Sequence, residues 1–230
     1  MNKIAVIGPE NRRKEVFSRL PELKLAYTGE ELPDAETLSG MDLVLDLDLD
    51  EVPQRLASYA PIQDLIVVGA AVKQSLAQMV FQMELPPACT LVGWNSLPTF
   101  INKEKWECSL FESSDRLVVQ EALGSLGIEV EWVEDRVGMV TPRILAMIIN
   151  EACVVIKEGT ASIPDIDQAM RLGTNYPLGP LEWADKIGIA HVHDVLANLR
   201  EDTGDGRYKI APLLKDYMHR GKTFYPSEPA

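Results

Sequence analysis

The sequence predicts an α/β protein, in which a domain with a mostly parallel β-sheet is followed by an all-helical domain. Two patterns support this fold class. Short apolar runs alternate with helical patterns as far as residue 133, which is typical of β-α-β units. After residue 138 the apolar residues recur only at helical spacing, so a domain boundary is predicted near that position.

The first half opens on a strand over residues 3–8, which is rich in β-branched residues and ends at Gly8. A helix over residues 11–20 follows it, with apolar residues at helical spacing. Further strands and helices then alternate. The strands are predicted over residues 23–27, 42–50, 64–68, 90–93, 106–111 and 128–133, and the helices over residues 52–59, 75–83 and 115–126.

The second half begins with a helix at Thr141, where a capping hydroxyl precedes a proline at the first helical position. An apolar stripe continues it to Gly159, a typical C-terminal stop. The next helix is predicted to begin after Ser162 and to end at Gly173. Three more are predicted over residues 181–187, 189–200 and 212–219.

Composition excludes several classes of function. Among 230 residues, 22 are Lys or Arg and 35 are Asp or Glu, which leaves a net charge of −13. Phosphate backbones and anionic membranes repel such a chain, so neither nucleic acid nor a membrane is predicted as a partner. The three cysteines match neither a disulfide framework nor a zinc pattern, and no apolar stretch is long enough for a membrane span. A cytoplasmic protein without a metal site is predicted.

One segment of the second half, residues 158–188, reads EGTASIPDIDQAMRLGTNYPLGPLEWADKIG. It resembles the C-terminal helical domain of the 3-hydroxyacyl-CoA (3-hydroxybutyryl-CoA) dehydrogenase family, which has a similar string of glycines, prolines and acidic residues. The strings GDGRY at 204–208 and APLL at 211–214 extend the resemblance. The first half resembles the family in outline only, through its opening strand and the DRVG string at 135–138.

The resemblance implies a shortened Rossmann-like domain over residues 1–137, which corresponds to the family's NAD-binding domain, and the helical domain over residues 138–230. In that family the substrate lies in the cleft between the domains. A His–Glu pair removes the proton of the 3-hydroxyl group as hydride leaves for NAD. The resemblance also implies a homodimer that forms through the helical domain.

The nucleotide-binding loop departs from the family pattern. The family has G-x-G-x-x-G after its first strand, and this chain has only the first glycine, Gly8, because Glu10 and Arg13 stand at the other two positions. Glu10 brings a negative charge to the place where the pyrophosphate approaches. Arg12 and Arg13 could supply positive charge to a phosphate, or could simply begin a surface helix. A degenerate cofactor loop and no bound NAD are therefore predicted.

The catalytic pair also departs from the family. Asn95 stands at the expected histidine position, and Glu107 follows twelve residues later, where the family has its glutamate. Asparagine cannot accept a proton at neutral pH, so proton removal by the family route is predicted to fail. The serine-rich turn expected after the fourth strand reads GAAV at residues 69–72, and Pro142 replaces an expected asparagine.

These departures favour a divergent dehydrogenase-like protein without normal hydride transfer, which binds an acyl-CoA-like ligand or acts as a dimeric interaction protein. An active NAD-dependent oxidoreductase with Glu107 as its base is the alternative, and a different reaction in the same cleft is a third. Asp46, Asp48 and Asp50 alternate along the predicted third strand. They extend too far along it to bind one metal ion, and a solvated strand exit is predicted instead.

Overall fold

The computed structural model describes residues 3–84 and 86–226. It divides into two compact units, one ending at Met139 and the other beginning at Val140. We call them the α/β unit and the helical unit. The α/β unit contains a mostly parallel sheet with helices, and the helical unit follows it, so the predicted fold class is confirmed. In the described residues, no helix combines the length and the apolar character needed to cross a membrane.

In the α/β unit, strands and helices alternate along most of the chain. In chain order they are β1 Ile4–Ile7, α1 Glu10–Arg19, β2 Leu25–Gly29, α2 Ala35–Ser39, β3 Leu43–Asp46, α3 Leu56–Tyr59, β4 Ile66–Ala70, α4 Leu76–Met83, β5 Thr90–Trp94, β6 Lys105–Leu110, α5 Arg116–Gly124 and β7 Glu129–Trp132.

The sheet has the strand order β2-β1-β3-β4-β5-β6-β7. Neighbouring strands are parallel except for β5 and β6, which are antiparallel. The chain leaves β1 toward one edge of the sheet and returns on the other side of β1 as β3. In an open α/β sheet such a reversal creates a crevice at the carboxyl ends of the two strands, where ligands bind. The topology therefore places the candidate ligand crevice beside the ends of β1 and β3.

Both faces of the sheet are covered by apolar side chains. Helices α1 and α5 pack on one face through residues such as Val16 and Leu123, and α2, α3 and α4 pack on the other through residues such as Leu56. On the first of these faces the rings of Trp94 and Trp106 stack with their centroids 3.9 Å apart. Burial on both faces explains why the central strands read as continuous apolar runs.

The third strand is shorter than predicted. It ends at Asp46, and residues 47–50 form turns. The side chain of Asp46 accepts the backbone N–H of Asp48 at 3.3 Å, which favours a turn over an extended chain. The predicted helix over residues 52–59 is also shorter, because the α-helical part, α3, begins only at Leu56. Helix α2 was not predicted.

The helical unit contains α6 Thr141–Lys157, α7 Ile163–Thr174, α8 Pro180–Ile187, α9 Ile189–Thr203 and α10 Pro212–Arg220. Four of these described helices, α6, α7, α8 and α10, have proline in the first turn, where the missing N–H costs no hydrogen bond. Gly173 does not end α7 as predicted. The helix continues past it to Thr174, and the C-cap, Asn175, has the left-handed conformation.

Buried polar side chains hold the helical unit together. Asp167 is 1% exposed, and its carboxylate accepts the backbone N–H groups of Leu181 and Glu182 at 2.8 and 2.9 Å. The hydroxyl of Tyr225 donates to the same carboxylate at 2.9 Å. On α6, Asn150 accepts the backbone N–H of Ala211 at 2.8 Å. Residues of the DID and IAPLL strings therefore connect helices that lie apart in sequence.

Candidate functional site

The two predicted catalytic positions lie opposite each other in the sheet. Asn95 directly follows β5 and Glu107 lies in β6, and the backbone N–H of Asn95 donates to the Glu107 carbonyl at 3.0 Å. Directly opposed residues of an antiparallel pair place their side chains on the same face. The structure therefore brings together the two residues that the sequence places twelve positions apart.

Asn95 is almost completely buried, with 2% of its surface exposed. Among the described residues, its Oδ1 atom has no hydrogen-bond partner. A carboxamide can offer a hydrogen-bond acceptor here, but it cannot take up a proton. Glu107 is half-buried and is the ionisable member of the pair.

The loop after β1 requires its one remaining glycine. Gly8 has a φ of +129°, and a Cβ atom at this position would lie 2.9 Å from Cβ of Leu47 and 3.0 Å from Oδ1 of Asp48. The end of β1 and the exit of β3 therefore touch. Glu10 begins α1, is exposed and forms an ion pair with Lys14 at 2.7 Å. The hydrogen bond from Lys14 lowers the pKa of Glu10, so a negative charge stands at the start of this helix.

Arg12 lies in the first turn of α1, but its side chain is not at the surface, so the interpretation of Arg12 as a surface residue was wrong. It is 2% exposed, and its guanidinium donates to the carbonyl of Leu47 and to Oε1 of Glu51, the latter at 2.6 Å. Arg13 is partly buried and donates from Nε to the carbonyl of Gly8 at 2.9 Å. Both arginines of the loop therefore bind groups of the protein itself.

The predicted solvated strand exit is also wrong. Asp46, Asp48 and Asp50 are 0%, 8% and 4% exposed, and we call these three residues the aspartate cluster. Arg55 donates from Nη1 to Oδ1 of Asp46 at 3.1 Å and to Oδ1 of Asp48 at 2.5 Å. Asp50 accepts the backbone N–H groups of residues 72 and 73 at 2.8 and 2.7 Å. The leucine-rich run was a sequence signal for burial. Acidic residues in such a run are rarely buried without basic partners, so a nearby arginine or lysine could have been expected.

Burial determines the protonation of Asp46. Removal from water raises the pKa of Asp46 to about 7, against the opposing attraction of Arg55 and the hydrogen bond from Tyr59. Burial also raises the pKa of Asp50. Three basic side chains, those of Arg12, Arg55 and Lys73, lie beside the acidic groups of the cluster and Glu51.

This protonation predicts how stability depends on pH. In the unfolded chain Asp46 loses its proton near pH 4, whereas in the folded protein it keeps the proton up to about pH 7. Between these values the folded state binds the extra proton, so its stability falls as the pH rises. We expect the melting temperature to fall between pH 5 and pH 8, and the Asp46→Asn variant to show a flatter profile. Equal slopes for the two proteins would contradict this assignment.

The cysteines offer no activated nucleophile. Cys89, Cys108 and Cys153 are all buried. Burial raises the pKa of Cys89 to about 11 and that of Cys153 to about 12, and it raises the pKa of Cys108 further. These thiols stay protonated at neutral pH. In the part of the chain that the structure describes, no group of three or more His, Cys, Asp or Glu side chains is arranged to hold a metal ion.

Comparison with known proteins assigns the helical region. Residues 138–227 match the family model "3-hydroxyacyl-CoA dehydrogenase, C-terminal domain". The chain is 45% identical over 89 residues to the 3-hydroxyadipyl-CoA dehydrogenase of Escherichia coli, a match that covers 39% of this chain and 19% of that protein. It is 37% identical over 107 residues to a probable 3-hydroxybutyryl-CoA dehydrogenase of Bacillus subtilis, covering 46% of this chain and 36% of that protein.

The matched segments thus span about a fifth and just over a third of these two relatives. The fold of the whole chain resembles the crystal structure of (S)-3-hydroxybutyryl-CoA dehydrogenase from Ralstonia eutropha, with a TM-score of 0.78, 19% identity and complete coverage of both chains. At that identity the likeness concerns the fold alone. By sequence, residues 138–227 thus match the C-terminal domain of the 3-hydroxyacyl-CoA dehydrogenase family.

Proposed function

We propose that this chain is a divergent 3-hydroxyacyl-CoA dehydrogenase-like protein that does not transfer hydride. One observation carries the proposal, namely that buried Asn95 lies opposite Glu107, at the position where the family resemblance expects a histidine. Oxidation of an alcohol needs a base for the hydroxyl proton as the hydride leaves, and a carboxamide is not a base at neutral pH. The three histidines of the sequence, His191, His193 and His219, all belong to the helical unit.

The alternative is an active NAD-dependent oxidoreductase that acts on a 3-hydroxyacyl-CoA or a related hydroxy acid. The names of the matched relatives, which are dehydrogenases, favour it. In this alternative Glu107 would take the proton without a histidine. An ordinary carboxylate is about a hundredfold weaker as a base than imidazole, so this route would be slow.

The proposed protein keeps the scaffold for binding. An acyl-CoA-like molecule is its proposed ligand and a second copy of the chain its proposed partner. The helical region supports this, because residues 138–227 match the family's C-terminal domain. Val140 and Ile144 lie one helical turn apart and are 49% and 53% exposed. Neighbouring apolar side chains that are exposed to solvent are typical of an interface between protein chains.

An activity assay tests the proposal. With acetoacetyl-CoA and NADH, we expect the purified chain to cause no loss of NADH absorbance above the background. A dehydrogenase of the family, assayed in the same buffer, serves as the positive control. Turnover at about 1 s⁻¹ or faster, abolished in a Glu107→Gln variant, would replace the proposal with the alternative.

A further inference from the structure

The crevice between the ends of β1 and β3 is the place where the sheet topology predicts a ligand. We infer that this crevice is closed from within by the chain's own arginines, and that it takes no dinucleotide. The inference deepens the proposed function, because it concerns binding of the cofactor and not only the missing base. It follows from what lies on each side of the crevice.

The end of β1 packs tightly against the exit of β3. As described above, the main chain at Gly8 lies against Leu47 and the carboxylate of Asp48. Gly8 stands at the glycine that makes the tight turn of a dinucleotide-binding loop. An aspartate side chain that is 8% exposed lies beside this turn.

Arg12 closes one side of the crevice. It leaves the first turn of α1 and reaches the carbonyl of Leu47, to which the hydroxyl of Ser96 also donates at 2.8 Å. Its second contact, with Glu51, ties the start of α1 to the chain beyond β3. The Arg12 guanidinium is therefore not available to bind a phosphate, because breaking these two contacts would leave its buried positive charge without a partner.

Arg55 closes the other side. Its Nη1 atom binds Asp46 and Asp48 at the exit of β3, and its Nη2 atom donates to the carbonyl of Glu30 at 2.7 Å. Glu30 directly follows β2. One guanidinium thus connects the ends of β3 and β2, which flank β1 in the sheet. The end of β2 is where a dinucleotide's ribose hydroxyls are normally recognised.

Arg13 occupies the remaining edge. Besides its bond to the Gly8 carbonyl, it donates from Nη1 to Oγ1 of Thr28 near the end of β2, at 3.3 Å. A dinucleotide would also bring two negative charges to the aspartate cluster, to Glu51 and to Glu10. The residues present therefore do not fit NAD. In place of a cofactor, an internal ion network joins the ends of β1, β2 and β3.

Binding of NADH is the direct test. In a fluorescence titration of the full chain with NADH to 1 mM, we expect no saturable binding and no shift of the melting temperature. The Glu10→Gly/Arg13→Gly double variant rebuilds the glycine pattern of the loop, and we expect it to bind no NADH either, because Arg12 and Arg55 remain. Saturable binding at micromolar NADH by either protein would overturn the inference. Binding without turnover would leave the proposed function standing, whereas turnover would refute both.

Stability tests the internal network separately. Arg55→Gln removes the hydrogen bonds from the guanidinium to the buried carboxyl groups of Asp46 and Asp48, and we expect it to lower the melting temperature by about 10 °C. Arg220→Gln is the matched control, because Arg220 is exposed and forms a surface ion pair with Asp216 one turn earlier, so we expect a change of about 1 °C. Tyr59→Phe deletes a single hydrogen bond to Asp46 and should lower the melting temperature by about 3 °C if Arg55→Gln does not fold. If Arg55→Gln or Tyr59→Phe had the same melting temperature as the wild type, the network would not be formed.

Discussion

Replacing Asp167 with alanine is expected to lower the free energy of unfolding by about 3–5 kcal/mol. The buried carboxylate accepts three hydrogen bonds, from the N–H groups of Leu181 and Glu182 and from the hydroxyl of Tyr225. Alanine would leave these donors inside the protein without acceptors, and α8 would lose the cap at its N-terminus. Urea denaturation followed by circular dichroism measures the change.

Asp165→Ala is the control for this prediction. Asp165 lies two residues earlier on α7 but is exposed. It places a negative charge in the first turn of the helix and accepts an exposed hydrogen bond from the Ser162 hydroxyl, so its loss should cost about 0.5–1 kcal/mol. Similar losses of stability in the two variants would contradict the capping role of Asp167.

Replacing Gly179 with alanine is expected to cost about 3 kcal/mol. Gly179 precedes α8, and a Cβ atom there would lie 2.2 Å from both Cβ and Cγ of Asp167. Asp167 cannot move aside without breaking the three hydrogen bonds that it accepts. The backbone of Gly179 has a φ of −69°, which any residue adopts, so the cost comes from the collision alone.

For Gly173→Ala we expect the opposite result, a gain in stability. Gly173 lies inside α7, and a Cβ atom there would point into open space, with no clash against a packed side chain. Alanine is favoured over glycine inside a helix by about 1 kcal/mol, so this variant should be more stable than the wild type. The same measurement applies to both variants. A loss of stability at Gly173, or none at Gly179, would show that the packing between α7 and α8 differs from that described.

Most of the helices and strands could be predicted from local signals. Ser162 caps its helix as the sequence indicates, through a hydrogen bond to the N–H group of residue 165. Capping groups lie within three residues of the groups they satisfy, so a short window of sequence contains the whole interaction. The prediction failed at residues 47–50, because alternating leucine and aspartate is typical of a half-buried strand.

The candidate site was predicted only in part. The resemblance selected Asn95 and Glu107, and the antiparallel pairing of β5 and β6 places them opposite each other. The arginines at the ends of β1 and β3 were not predicted as part of an ion network. Arg55 was not predicted as a site residue, and Arg12 was predicted either to bind a phosphate or to lie on a surface helix. No local sequence pattern reveals the acidic partners of these two arginines.

The sequence by itself determined the fold class, the change to helices near residue 138 and the membership of the helical region in its family. Periodicity, caps and motif strings carry this information, and they depend on neighbours along the chain. Only the tertiary structure decided that the aspartate cluster is buried and that the arginines fill the crevice. Arg12 and Glu51 are 39 residues apart, and Arg55 and Glu30 are 25 apart. Whether such charges meet depends on how the strands are ordered in the sheet, and a buried charge is tolerated only where that order supplies its partner.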